Sequence, residues 1–213
     1  MNAYGPPVVA WCGEHNSEGP LVVLLHGRGS NEAEIIALAD HLPDALAYAA
    51  LRAPIAEGGG YAWFANRGVG RPVAESLAET TAWFRTWLDG IAPARRTVVL
   101  VGFSGGAAMA GGLILDDPKR YKGAAILFGT LPFDAGVPTT PRRLAGLPVL
   151  VAHGDADVVI PRDLLERTWT YLHGEAGSAT TGVRDPGGHS LSAAAIAHLY
   201  RWLTDLSAAR ATF

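Results

Sequence analysis

Ser104 stands in Gly102-Phe103-Ser104-Gly105-Gly106, directly after the β-branched run Thr97-Val98-Val99-Leu100-Val101. A small-residue segment, Ala107-Ala108-Met109-Ala110-Gly111-Gly112, follows it. A serine between glycines, where a strand meets a helix, sits on a strained turn with its hydroxyl exposed. The flanking glycines leave room for the neighbouring strand and helix, which a Cβ would not. A serine hydroxyl becomes a useful nucleophile only when a base takes its proton and an acid orients the base. His189, in Asp185-Pro186-Gly187-Gly188-His189-Ser190, is the candidate base, on a glycine-flanked loop able to reach over a sheet edge. Two aspartates compete for the acid. Asp155 and Asp157 both follow the run Val149-Leu150-Val151-Ala152, and either can orient a histidine. Aspartate is also a common turn residue, so spacing does not choose between them.

An attacked carbonyl develops negative charge, which backbone N–H groups usually stabilise. Gly105, directly after the serine, is one candidate donor. Arg28, in His26-Gly27-Arg28-Gly29-Ser30 after the apolar run Leu21-Val22-Val23-Leu24-Leu25, is the other through its main chain. Its side chain is expected to be solvated, with attraction of an acidic substrate group as the second reading. His26 is read as structural. Tyr61, Trp63, Phe64, Leu131 and Phe133 follow strands, and they suit either an apolar acyl groove or a core beneath loops.

These residues need a scaffold, and the chain alternates strand-like and helix-like segments throughout. Expected strands cover residues 8–11, 21–25, 45–51, 97–101, 123–128, 149–152 and 180–184. Expected helices cover 31–41, 73–88, 162–173 and 192–206, besides the one after Ser104. Ser30 is the expected cap of the first helix, and Pro72 suits a first helical position. Residues 55–71 read as a long glycine-rich loop, a kind of loop that often carries function. Apolar strands joined by helices predict a mostly parallel sheet covered on both faces, with ligands at the strands' carboxyl ends. Every motif above falls at such an end.

The 213 residues fit one domain, residues 1–213, with a sizeable core. Net charge of −3 gives no basic footprint for nucleic acid. The single cysteine, Cys12, is read as a bystander; it forms no internal disulfide and fits a reducing compartment. No apolar run approaches the ~20 residues needed to span a bilayer, and the N-terminus lacks a signal-peptide pattern. A cytoplasmic protein without integral membrane association is the expectation; the sequence leaves oligomeric state open.

Together, Leu25-His26-Gly27-Arg28-Gly29, the Ser104 motif, His153-Gly154-Asp155-Ala156-Asp157-Val158-Val159 and Gly188-His189 resemble the phospholipase/carboxylesterase group of α/β-hydrolases. That group includes acyl-protein thioesterases. The order serine, aspartate, histidine is that of the α/β-hydrolase fold. The resemblance runs from about Leu21 to the final helix. It implies an α/β-hydrolase fold with Asp157 as the acid; the short chain, with no long insertion after residues 123–128, argues against a large lid domain. The resemblance further implies Arg28 and Gly105 at the oxyanion positions. One departure stands out: the family usually has glutamine directly after the serine, and this chain has Gly105. The expected activity is hydrolysis of carboxylic esters, or thioesters, of small to medium acyl groups, with no metal or organic cofactor. The competing readings are a dienelactone-hydrolase-like lactone hydrolase, which normally carries cysteine at the nucleophile, and a non-catalytic ligand-binding protein of the same fold.

Overall fold

Both faces of a central strand must be covered, so the continuous apolar runs become the middle of a sheet. The computed structural model describes residues 4–14 and 19–208. In its first half the strands are β1 (Val9–Cys12), β2 (Leu21–Leu25), β3 (Ala47–Leu51), β4 (Ile55–Glu57), β5 (Gly60–Ala62), β6 (Asn66–Gly68) and β7 (Arg71–Pro72). The second half adds β8 (Val98–Phe103), β9 (Gly123–Leu127), β10 (Pro148–Gly154) and β11 (Ala179–Asp185). The helices are α1 (Glu32–Ile35), α2 (Ala74–Ile91), α3 (Gly105–Asp116), α4 (Arg162–His173) and α5 (Ala193–Ala208).

Seven strands form one sheet in the order β1-β3-β2-β8-β9-β10-β11, parallel except for the edge strand β1. Every residue of β2, β3 and β9 is buried, as strands covered on both faces require. The period of two along β2 feeds two cores. Leu21, Val23 and Leu25 pack with α2, α3 and α4 on one face. Val22 and Leu24 pack on the other with Leu38, Leu42 and α5. α3 is buried from Gly106 through Leu115, which explains its apolar composition all round. Among the described residues, no helix is long and apolar enough to cross a membrane.

The chain runs from β2 outward to β3, then returns to build β8 on the other side of β2. Strand order therefore reverses between β2 and β8. A crevice opens at such a reversal, and ligands of open α/β sheets bind there. The loop 26–30 and Ser104 flank it.

Three local expectations need correction. The segment 55–71 is not one loop but two hairpins, β4–β5 and β6–β7. Gly58 and Gly59, with φ of 58° and 85°, make the tight turn pairing Glu57 with Gly60. Consecutive glycines supply the positive φ that two-residue hairpins need. The first helix is capped by Asn31, not Ser30: Asn31 Oδ1 accepts the Glu34 N–H at 3.0 Å, while the Ser30 hydroxyl bonds the Glu34 carboxylate. That helix makes one α turn and continues as a 3₁₀ segment, Ile36–His41. Pro72 ends β7 instead of opening a helix; the Val73 N–H is committed to the Ala65 carbonyl, and α2 begins at Ala74.

Candidate active site

Ser104 occupies a backbone conformation that L-residues avoid, φ 55° and ψ −114°. Such a residue costs roughly 1–3 kcal/mol and persists only where its surroundings enforce it. Here they do. Its N–H is held by the Leu127 carbonyl at 2.9 Å, and its own carbonyl accepts from Ala107 at 3.0 Å. A Cβ on Gly102 would overlap the backbone of Gly106, and one on Gly106 would overlap the Leu25 carbonyl. The two glycines let β2, β8 and the start of α3 meet closely enough to fix the turn.

The Ser104 hydroxyl lies 2.8 Å from His189 Nε2, and His189 Nδ1 lies 2.8 Å from Asp157 Oδ2. The Asp157 side chain is fully buried, and its Oδ1 accepts the N–H groups of Val159 at 2.8 Å and Ile160 at 3.1 Å. Burial alone would raise its pKa, but the hydrogen bond from His189 and the two N–H donors hold the carboxyl below its ordinary value. An ionised carboxylate only accepts, so the His189 proton sits on Nδ1 and Nε2 accepts from the serine hydroxyl. Asp155 points elsewhere: it is exposed and ion-paired with Arg184.

The loops that carry Asp157 and His189 are stitched together. The Asp155 N–H bonds the Asp185 carbonyl at 2.7 Å, and the Ala156 N–H bonds the Gly187 carbonyl at 3.0 Å. Gly154 makes this possible, since a Cβ there would overlap the carbonyls of Gly187 and Gly188. Buried Asp185 ties the histidine loop further, accepting from the Gly187 N–H at 2.7 Å and from the Ser192 hydroxyl. These bonds hold its carboxyl below the usual range. Phe103, half-buried, packs its ring 5.3 Å from that of His189. Asp185 and Phe103 carry no site role in the sequence reading, although both lie inside the motifs quoted for His189 and Ser104.

On the other side of Ser104, Gly105 opens α3, so its N–H is one of the donors a helix start leaves unpaired by the helix. The Arg28 main-chain nitrogen lies 3.2 Å from where a Cβ on Gly105 would be. The two candidate oxyanion donors are thus neighbours. His26 is buried and fully used: its Nδ1–H donates to the Gly27 carbonyl at 2.7 Å, and its Nε2 accepts from Ala53 N–H at 3.1 Å. Burial lowers its pKa, in keeping with a neutral ring.

Of the two readings of the residues that follow the strands, the core beneath loops describes four of the five. Trp63, Phe64, Leu131 and Phe133 are all buried in the core between the sheet and its helices. Trp63 donates through its indole N–H to the His26 carbonyl at 2.8 Å, and Phe133 stacks edge-on against Tyr171. Their apolar area does more under the loops than beside solvent. Tyr61 is half-buried beneath the Arg52 guanidinium, 4.7 Å from its ring centre. The Arg28 guanidinium, though partly exposed, is committed: it forks onto Glu57.

The fold and this arrangement define an α/β-hydrolase. The model of the phospholipase/carboxylesterase family matches residues 12–206, and the chain belongs to that family of carboxylesterase-type hydrolases. MhqD of Bacillus subtilis (strain 168) is 27% identical over 183 residues, covering 84% of this chain and 90% of its own length. A carboxylesterase from Mesorhizobium loti superimposes with a TM-score of 0.76 at 27% identity, over 88% of this chain and 89% of its own. The Bacillus cereus carboxylesterase shares the fold, with a TM-score of 0.82 at 23% identity over 94% of each chain.

Proposed function

We propose that the protein hydrolyses carboxylic esters, and thioesters with them, of small to medium acyl groups through an acyl-enzyme on Ser104. The hydrogen-bonded chain Ser104–His189–Asp157 is the observation that carries the reading. Ser104 Oγ attacks the acyl carbon while His189 Nε2 takes its proton. Asp157 fixes the tautomer and stabilises the imidazolium. The peptide N–H groups of Arg28 and Gly105 receive the oxyanion, where loss of one donor typically costs ~3–4 kcal/mol. Collapse of the tetrahedral adduct expels the alcohol or thiol, which takes the proton from His189. Water, deprotonated by the same histidine, then attacks the acyl-serine and releases the acid.

Family membership and the 27%-identical carboxylesterase support the ester class. The burial of Trp63, Phe64, Leu131 and Phe133 favours acyl groups too short to need an aromatic groove. The test is a panel of nitrophenyl esters and acyl thioesters of graded length, with a fluorophosphonate probe. Ser104 should be the labelled residue, and short to medium esters should turn over fastest. Ser104→Ala should lower turnover at least ~10³-fold. Wild-type turnover in that variant, or binding of esters without hydrolysis, would sink the reading.

A further inference from the structure

An oxyanion donor that is a main-chain N–H has no side-chain rotamer to hold it; its direction depends wholly on the torsions of its loop. Arg28 lies between Gly27 and Gly29, the latter at φ 80°, and glycine neighbours leave a backbone at its freest. The loop is nonetheless fastened, and its backbone ladder runs to the first hairpin. Gly29 N–H donates to the Tyr61 carbonyl at 2.9 Å, and Tyr61 N–H donates to the Ser30 carbonyl at 3.0 Å. A Cβ on Gly60 would overlap the Gly29 backbone, so loop and hairpin lie in direct contact. The one side-chain fastening of Arg28 to this hairpin is a fork. Its Nε donates to Glu57 Oε1 at 2.5 Å and its Nη2 to Oε2, while Nη1 reaches the Phe64 carbonyl at 3.4 Å. Two parallel bonds between a planar guanidinium and a carboxylate fix orientation as well as distance.

We propose that Glu57 is a positioning residue for the hydrolysis: it holds Arg28 by the side chain so that its peptide N–H stays beside that of Gly105. The inference rests on the oxyanion role assigned above to Arg28 and Gly105. Each member of the pair is more than a third exposed, at 37% and 40%. Exposed pairs add little to stability, so the effect belongs to turnover and not to folding.

The experiment measures kcat, KM and Tm for wild type, Glu57→Ala, Glu57→Gln, Arg28→Ala and the double alanine variant, on one neutral nitrophenyl ester. Arg28→Ala keeps the peptide N–H and removes only the handle. Glu57→Ala is expected to lower kcat about tenfold, a part of the ~10²–10³ that loss of a whole donor costs. KM should stay within about twofold, because the oxyanion forms only after binding. Tm should stay within about 4 °C. Arg28→Ala should lose as much, and the double variant no more than either, since one interaction is removed in all three. Glu57→Gln, which keeps the size and one acceptor, should fall between. Wild-type kcat in Glu57→Ala, or losses that multiply in the double variant, would overturn the proposal. Should Glu57→Ala lower Tm by more than that, Glu57→Gln decides: an intermediate kcat supports the proposal, and wild-type kcat removes it. If wild type turns over no ester, or Ser104→Ala turns it over normally, the reading of the site itself falls, a result distinct from any of these.

Discussion

Ser104 is approached from two sides that are built differently. The side carrying His189 and Asp157 is held by backbone hydrogen bonds between neighbouring loops, by the buried Asp185 carboxylate and by a close contact at Gly154. The side carrying Arg28 is held by a hairpin and an ion pair open to solvent. Buried polar networks are costly to break and are screened little by salt, whereas exposed pairs are weak and screened. In the proposed mechanism the two sides also differ in task. The base and acid must be aligned before substrate arrives, while the oxyanion donors matter only once charge develops. Both sides need preorganisation, and they differ in what supplies it: buried backbone bonds on one, a hairpin and an exposed fork on the other.

Substitutions sharpen the contrast, and the largest effect should come from the buried side. Asp157→Asn should lower kcat by ~10⁴, as removal of an orienting carboxylate does, while Asp155→Asn should stay within about threefold of wild type. Steady-state kinetics of the two variants checks this, and the reverse ranking would hand the acid role to Asp155. Asp185→Ala comes next. It leaves the Gly187 N–H and the Ser192 hydroxyl without their acceptor, so Tm should fall in a thermal melt, by the equivalent of about 1–3 kcal/mol. Activity should fall with it, because the same bonds place His189.

Acid titration tests the buried side by another route. Asp157 and Asp185 are depressed, as is Glu32, whose carboxyl is held low chiefly by its hydrogen bonds to Arg52. A depressed carboxylate contributes stability that is fully present above its unfolded value, ~4, and is lost as pH falls through the folded value. Buried His26 and His153, both lowered by desolvation, should make Tm decline gently as pH falls below about 6.5, and the carboxylates should make it drop more steeply below about pH 4. Asp185→Asn should flatten that drop, and an unchanged acid limb in the variant would remove Asp185 from the network. The smallest effect belongs to the exposed side. Raising salt from about 0.1 M to about 1 M should lower kcat by less than about twofold in wild type and by less still in Glu57→Ala, which lacks the exposed Arg28–Glu57 pair.

Much of this was legible in the chain because the catalytic candidates sit where apolar runs end. Five-residue buried runs such as Leu21 to Leu25 announce central strands, and α4 begins and ends where the helical spacing places it, Arg162–His173. Glu57 was not legible. Its partner lies 29 residues away, and a single acidic residue before a glycine turn looks like any solvated hairpin end. The Gly58-Gly59 turn itself is a hairpin signal, overlooked inside a segment rich in glycine and read as one loop. The aromatics after the strands were ambiguous for a related reason: a Trp at a strand's end is apolar whether it faces a ligand or a core.

By itself, then, the sequence determined the strand–turn–helix around Ser104, the parallel sheet, and the family. Those follow from local pattern, because strand periodicity and a G-x-S-x-G turn are short-range properties. Spacing left the aspartate open and the resemblance implied Asp157, but only the tertiary structure brings its carboxylate to His189. Asp155 and Asp157 are two residues apart on one turn, and their directions depend on how that turn is stitched to the loop after β11. It decided likewise that Arg28 turns its guanidinium to Glu57, leaving its peptide N–H beside Gly105. Both are contacts between segments distant in the chain, fixed by the register of the sheet and not by any residue's own preference.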